Sequence, residues 1–222
     1  MNIKSSTFQF LAALKENNSR AWFQENKEAY EAANNDVREF VAALILKLST
    51  FDLHINTDIS AAKCMFRIYR DVRFAKDKSP YKAWLAAGIS IDGRKLDGPE
   101  YYIHIEPNNI FVAVGYWRPK KEHLEAIRQE VDYNFAGFEA LLKSGDWEPC
   151  DLMIDDKLKR PPAGYTVDNP AIEILKLKSF ILHHPISDRD MTRAFALEHI
   201  VELLQRTLPF KDFLHEAITI DS

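Results

Sequence analysis

The chain has 222 residues, a formal net charge of −4, and 46% hydrophobic against 28% charged residues. That balance excludes a disordered chain and leaves no bulk electrostatic case for nucleic-acid or membrane binding. The length suits one domain with its own core, read as a single α+β domain over residues 1–222.

Three helices are expected over residues 5–50. The first runs from about Ser6 to Lys15, with Ser6 and Gln9 at capping-box spacing and Phe8, Leu11 and Ala12 as its stripe. Asn17-Asn18 break it, and Ser19 can cap a second helix that carries Trp22, Ala29, Tyr30 and Ala33. The third has the clearest helical period: Val37, Phe40, Val41, Leu44, Ile45 and Leu48.

A strand-rich core is expected over residues 61–117, from the β-branched and aromatic runs at 63–74, 84–91, 100–106 and 110–117. The short turn at Pro107-Asn108-Asn109 makes the last two an antiparallel hairpin. Helices resume over residues 119–220, with stripes at Leu124, Ile127 and Val131 and at Phe135, Phe138, Leu141 and Leu142. Residues 145–168 read as loop, and 172–180 is ambiguous between helix and strand. Ser187 and Asp190 repeat the capping spacing before the stripe Ala194, Leu197, Val201, Leu204, Leu208, and a short last helix follows Pro209. Clustered strands flanked by helices give an α+β class: an antiparallel sheet of about four to six strands packed by N-terminal and C-terminal helices.

Cys64 and Cys150 make no disulfide framework and read as buried thiols. The densest apolar stretches, Phe40–Leu46 and Ile110–Val114, fall short of the roughly 18 residues a membrane span needs. No signal-type cleavage site follows the first helix. The expectation is a cytoplasmic protein with no membrane partner.

The most informative stretch is FRIYRDVRFAKDKSPYK, residues 66–82. Across 61–82, Lys63, Arg67, Arg70, Arg73, Lys76, Lys78 and Lys82 face only Asp71 and Asp77, a local excess of five positive charges in a chain of net charge −4. Strand alternation places Phe66, Ile68, Arg70, Val72 and Phe74 on one face and Arg67, Tyr69, Asp71 and Arg73 on the other. Two readings stand. Arg67, Arg70, Arg73, Lys76, Lys78, Tyr81 and Lys82 form an anion site, because guanidinium forks grip phosphate or carboxylate and ammonium groups add charge. Alternatively, the chain is a structural or partner-binding domain and the same charges form an internal ion-pair network.

This stretch closely resembles the signature of a bacterial and fungal family of unknown function. The resemblance continues through residues 17–31, 98–107 (GPEYYIHIEP), 117–119 (WRP), 126–133, 158–165 and 169–180 (NPAIEILKLKSF). It implies a compact α+β domain and no known reaction, cofactor or catalytic residue. Members often carry a glycine-rich segment before the Trp. Here that segment is Val112-Ala113-Val114-Gly115-Tyr116, which alters any close ligand approach those glycines serve.

Other constellations add candidates. Tyr102, His104 and Glu106 share one face of a strand, so His104 and Glu106 can act as an acid–base pair or form a polar sheet face. No third ligand at recognisable spacing follows, so no metal is expected. Trp117 and Arg118 precede a helix start and join the candidate anion-binding set. His183 and His184 are adjacent, and adjacent side chains in an extended chain point apart. Phosphate-loop, dinucleotide, α/β-hydrolase and zinc-ribbon signatures are missing, and no cofactor is implied. A small anionic ligand is the expected partner. A nucleic-acid module, reading bases on Tyr69, Tyr81 and Trp84, is opposed by the acidic balance elsewhere. Whether the chain is an enzyme, and its oligomeric state, are left open by the sequence.

Overall fold

The computed structural model describes residues 1–91, 97–144 and 152–219. Helix α1 (Ser5–Glu16) is followed by α2 (Arg20–Glu25) and α3 (Lys27–Leu48). Ser19 caps α2 as expected, its hydroxyl accepting from the Trp22 N–H at 3.3 Å. Lys4, not Ser6, stands at the α1 N-cap, and its N–H is satisfied at 2.9 Å by the Asp36 carboxylate of α3.

The break between the second and third helices falls at Asn26, so Ala29, Tyr30 and Ala33, expected on the second helix with Trp22, belong to α3. The Asn26 backbone N–H and side-chain amide both donate to the Trp22 carbonyl, at 3.0 and 2.9 Å. That satisfies the end of α2 and lets α3 restart. Asn34 and Asn35 stay helical because Ala33, Val37, Phe40, Val41, Leu44, Ile45 and Leu48 form one continuous buried stripe around them.

Four strands follow among the described residues: β1 (Leu85–Ile89), β2 (Glu100–Ile105), β3 (Ile110–Tyr116) and β4 (Phe180–Ile186). They form one antiparallel sheet in the order β1-β2-β3-β4. The β2–β3 hairpin turns at Pro107-Asn108. Asn108 takes a φ of 61°, a conformation asparagine tolerates, and the Asn109 N–H donates to the Glu106 carbonyl at 3.0 Å.

The expected strand over residues 63–74 does not form. Residues 61–64 make a short helix, α4 (Ala61–Cys64), and the rest is an irregular arm. Among the described residues its bridges are Met65 with Ala87 and Tyr69 with Tyr81. Consequently the alternation does not carry through: Ile68 is buried, whereas Phe74 is 97% exposed. β4 occupies a segment whose apolar start, Phe180-Ile181-Leu182, is too short for periodicity to classify.

The remaining helices are α5 (Lys121–Tyr133), α6 (Phe135–Ser144), α7 (Ile172–Leu175), α8 (Asp188–Met191), α9 (Ala196–Arg206) and α10 (Leu208–Thr219). Ser187 caps α8, accepting from the Asp190 N–H at 3.0 Å. The expected single helix after it is interrupted between α8 and α9. No helix among the described residues is long and apolar enough to cross a membrane. Cys64 is buried; Cys150 and most of the expected 145–168 loop's first part lie outside the described residues.

The chain clusters into two compact units. The first comprises Met1–Lys95, Tyr102–Val112 and Pro185–Glu202. In it α3 packs on α1, α4 and β1, and the amino end is tied down by Ile3 N–H to the Met191 carbonyl at 3.2 Å. The second comprises Leu96–Tyr101, Ala113–His184 and Leu203–Ser222. There α10 packs on α5 and α6, with Phe138 against Phe210 and Phe213. The buried Arg128 guanidinium donates to the Leu175 and Leu177 carbonyls at 2.7 and 3.0 Å, filling acceptors at the end of α7 and just beyond it.

Candidate functional site

The basic stretch folds back on itself within the first unit. The Arg70 N–H donates to the Pro80 carbonyl at 2.9 Å and the Lys82 N–H to the Ile68 carbonyl at 2.8 Å. Between these pairings the chain turns through Asp77, whose Oδ1 accepts from the Ser79 N–H at 2.9 Å and the Ser79 hydroxyl at 2.6 Å, an Asx turn that Pro80 stiffens. Asn18, from the α1–α2 connection, clasps Tyr81: its amide donates to the Tyr81 carbonyl at 3.0 Å and its oxygen accepts the Tyr81 N–H at 3.1 Å. The Tyr81 ring is buried, stacked on Phe23 with centroids 4.0 Å apart.

Much of the cationic charge is compensated inside the stretch. The Arg70 guanidinium is bound to Asp77 and to the Ser79 carbonyl. Arg73 grips Asp71 through two hydrogen bonds of 3.0 and 2.6 Å. Hydrogen bonds from Ser79, then Arg70, hold the Asp77 carboxyl well below the usual carboxylate range, and Arg73 lowers Asp71 in the same way. Lys78 donates to the Val72 carbonyl at 2.9 Å and Lys82 to the Arg67 carbonyl at 2.8 Å. Arg67 and Lys76 are exposed and make no side-chain hydrogen bond or ion pair among the described residues.

Beside this turn lies an open cleft of about 460 Å³, lined among others by Lys15, Arg70, Asp77, Tyr81, Lys82 and Trp84. Asn18 and Asp71 also border it. Lys82 Nζ stands 4.5 Å from the centre of the Trp84 ring, a cation–π arrangement that keeps the ammonium over an apolar surface.

The Trp84 ring in turn rests on His104, with centroids 4.9 Å apart, and Phe111 stacks on His104 at 4.7 Å. Alternation along β2 brings Tyr102, His104 and Glu106 to one side, where they form a chain. Tyr102 Oη lies 3.1 Å from His104 Nδ1, and His104 Nε2 lies 3.3 Å from Glu106 Oε2. Glu106 also accepts from the Asn109 amide at 2.9 Å and from Lys15 Nζ at 3.4 Å.

Burial lowers the His104 pKa, against the opposing pull of Glu106. Burial alone would raise Glu106, but hydrogen bonds from Asn109, His104 and Lys15 outweigh it and hold the carboxyl low. An ionised carboxylate only accepts, so His104 Nε2 carries the proton. Nδ1 of the neutral ring is then the acceptor of the Tyr102 hydroxyl.

A family model described as Conserved hypothetical protein (DUF2461) matches residues 6–213. The chain belongs to this family. No curated protein and no solved structure matches it. The match takes in the arm, the cleft and the β2 chain alike.

Of the residues that the sequence singles out, Arg70, Tyr81 and Lys82 border the cleft, and His104 and Glu106 are joined to it through Trp84 and Lys15. Arg67, Arg73, Lys76 and Lys78 do not line it. Trp117 and Arg118 belong to the second unit. There Arg118 Nη2 donates to Asp156 at 3.0 Å, its N–H donates to Ser179 Oγ at 2.9 Å, and its guanidinium lies over the half-exposed Trp117 ring. Helix α5 starts only at Lys121, so neither residue sits in its first turn. Lys15 and Asn18 are cleft residues that the motif does not contain. Their only sequence signal is position at the end of an amphipathic helix, and Lys15 is 91 positions from its partner Glu106.

Proposed function

We propose that the cleft binds a small anionic, phosphate- or carboxylate-bearing molecule. The observation that carries this reading is the convergence of Lys15, Arg70 and Lys82 on one open cleft of about 460 Å³, a volume suited to a small ligand. Its acids are already occupied: Asp71 by Arg73, and Asp77 by Ser79 and Arg70. The two acids that border the cleft therefore do not oppose an incoming anion with uncompensated charge, and the Lys15 ammonium is shared with Glu106. Trp84 and Tyr81 supply apolar wall. The buried His104, with Glu106 as its orienter, packs against the cleft residue Trp84 and is the group proposed for acid–base work. The predicted location is cytoplasmic.

Titration calorimetry with inorganic phosphate, pyrophosphate and citrate tests this. The double variant Lys15→Met/Lys82→Met is expected to bind at least about tenfold more weakly, the equivalent of one lost charge-assisted contact. Unchanged affinity in a variant with native circular dichroism overturns the reading.

A second role is supported for part of the motif. The two-point grip of Arg73 on Asp71 and the bonding of Lys78 to main-chain carbonyls favour a structural network that shapes the arm. On that account the paired variant Arg73→Met/Asp71→Asn, which removes both charges of the grip together, leaves anion affinity unchanged.

A further inference from the structure

Two residues belong both to the cleft and to the β2 chain. Lys15 lines the cleft and donates to Glu106, and Trp84 lines the cleft and stacks on His104. The charges that bear on a ligand are Lys15, Arg70, Arg73 and Lys82 against Asp71, Asp77 and Glu106. Four cations against three carboxylates leave one positive charge while His104 is neutral, and a proton on the imidazole leaves two.

We infer that the ligand of this cleft is a dianionic oxyanion whose binding is accompanied by proton uptake at His104. This rests on the cleft being the anion site proposed above.

The atoms allow the step without a break in hydrogen bonding. The proton enters at His104 Nδ1, where the Tyr102 hydroxyl now donates. That hydroxyl can rotate and accept instead, since it carries both a proton and lone pairs. Nε2–H remains on Glu106, now as an imidazolium–carboxylate pair. With Glu106 so neutralised, the 3.4 Å contact from Lys15 loses its electrostatic reason, and the exposed ammonium is available to the ligand. Tyr102 and Glu106 face His104 from β2, Lys15 reaches Glu106 from α1, and Lys82 lies over the Trp84 ring that covers the imidazole. Phe111 of β3 is uncharged. The lowered pKa of His104 means that the free protein holds the ring neutral near pH 7, so the proton arrives with the anion. By reciprocity, the anion raises the affinity of His104 for the proton by the factor by which the proton raises the affinity for the anion.

Inorganic sulfate is the probe, because it keeps both charges across the range tested and adds no titration of its own. Calorimetry is run from about pH 8 to about pH 5.5, the range in which histidine titrates, in buffers of differing ionisation enthalpy. Sulfate is expected to bind at least about tenfold tighter at the acid end, one pKa unit of linkage, with net proton uptake. Both effects should vanish in His104→Gln while binding persists. Sulfate binding with a pH-independent Kd and no proton uptake overturns the inference and leaves the anion site standing. Absence of sulfate binding at every pH removes both. Should His104→Gln fail to fold, the imidazole resonances of the wild-type protein decide: sulfate must move the His104 titration to higher pH, and an unmoved titration overturns the inference.

Discussion

The Asp36 carboxylate closes the amino end of a helix to which it does not belong: its Oδ2 accepts from the Thr7 hydroxyl at 2.7 Å and from the Lys4 N–H at 2.9 Å. Asp36 sits in the long helix α3, and Thr7 in the first turns of α1. A carboxylate in this position takes the N-cap residue's own N–H, the bond that a third-residue Glu makes in a capping box, and complements the positive end of the helix dipole. Both side chains are buried. Asp36→Ala therefore leaves a buried hydroxyl and an N–H without their acceptor, and is expected to destabilise the protein by about 2 kcal/mol. Urea denaturation measures it; a midpoint equal to wild type would falsify the capping role.

The arm between α4 and β1 makes opposite predictions for two apolar residues that strand alternation places on the same face. Ile68 is 1% exposed, whereas Phe74 is 97% exposed with the Arg73 guanidinium 6.0 Å from its ring centre. Ile68→Ala is expected to cost about 2–4 kcal/mol through lost burial and the cavity left behind. Phe74→Ala is expected to stay within about 0.5 kcal/mol of wild type. Comparable losses in the two variants would mean that the arm continues as a regular strand with Phe74 in the core.

The same arm marks where the sequence stops being readable. Helix α3 and the β2–β3 hairpin are legible because their signals are local: an apolar stripe repeating with the helical period over Val37–Leu48, and a turn at Pro107-Asn108 between alternating runs. Residues 66–74 show equally good alternation, yet among the described residues they form a single bridge, Tyr69 with Tyr81, and the chain is diverted at Asp77 by its bonds to Ser79. Side-chain capture of the backbone competes with the ladder there, and alternation alone carries no record of that competition. The Lys15–Glu106 contact is a different kind of loss. Each residue looks like an ordinary surface charge on its own element, and only the packing of α1 beside the β2–β3 hairpin brings them together.

Gly115 is the point where glycine is required in the segment before Trp117. Its φ is +132°, and a Cβ there would lie 2.0 Å from the Phe180 carbonyl oxygen on β4. Any side chain must both strain the backbone and push the two strands apart. Gly115→Ala is expected to lose more than about 3 kcal/mol, read as a drop in Tm or as insoluble expression. Near-native stability would mean that β3 and β4 separate locally at little expense.

His104 also gives the fold an acid sensitivity whose sign is fixed by burial. Above the ordinary histidine pKa, 6.5, the ring is neutral in both folded and unfolded chains and contributes no pH dependence. As the pH falls below that value, the unfolded chain takes up the proton while the folded ring, with its lowered pKa, resists. Stability then declines until the folded ring titrates too, where the decline levels off. His123, lowered by burial and then by Lys120, acts in the same direction. Further down, Glu106 continues the trend. Its folded pKa lies below its ordinary value of 4.5, so the stability it contributes is present above that value and is lost as the pH falls through the folded one. Denaturant midpoints measured without added anions, from about pH 8 to about pH 5, should fall for the wild-type protein. They should fall less for His104→Gln, with a residual slope from His123. Identical slopes in the two proteins would show that the imidazole takes its proton as readily in the folded chain as in the unfolded one, which its packing between Trp84 and Phe111 does not permit.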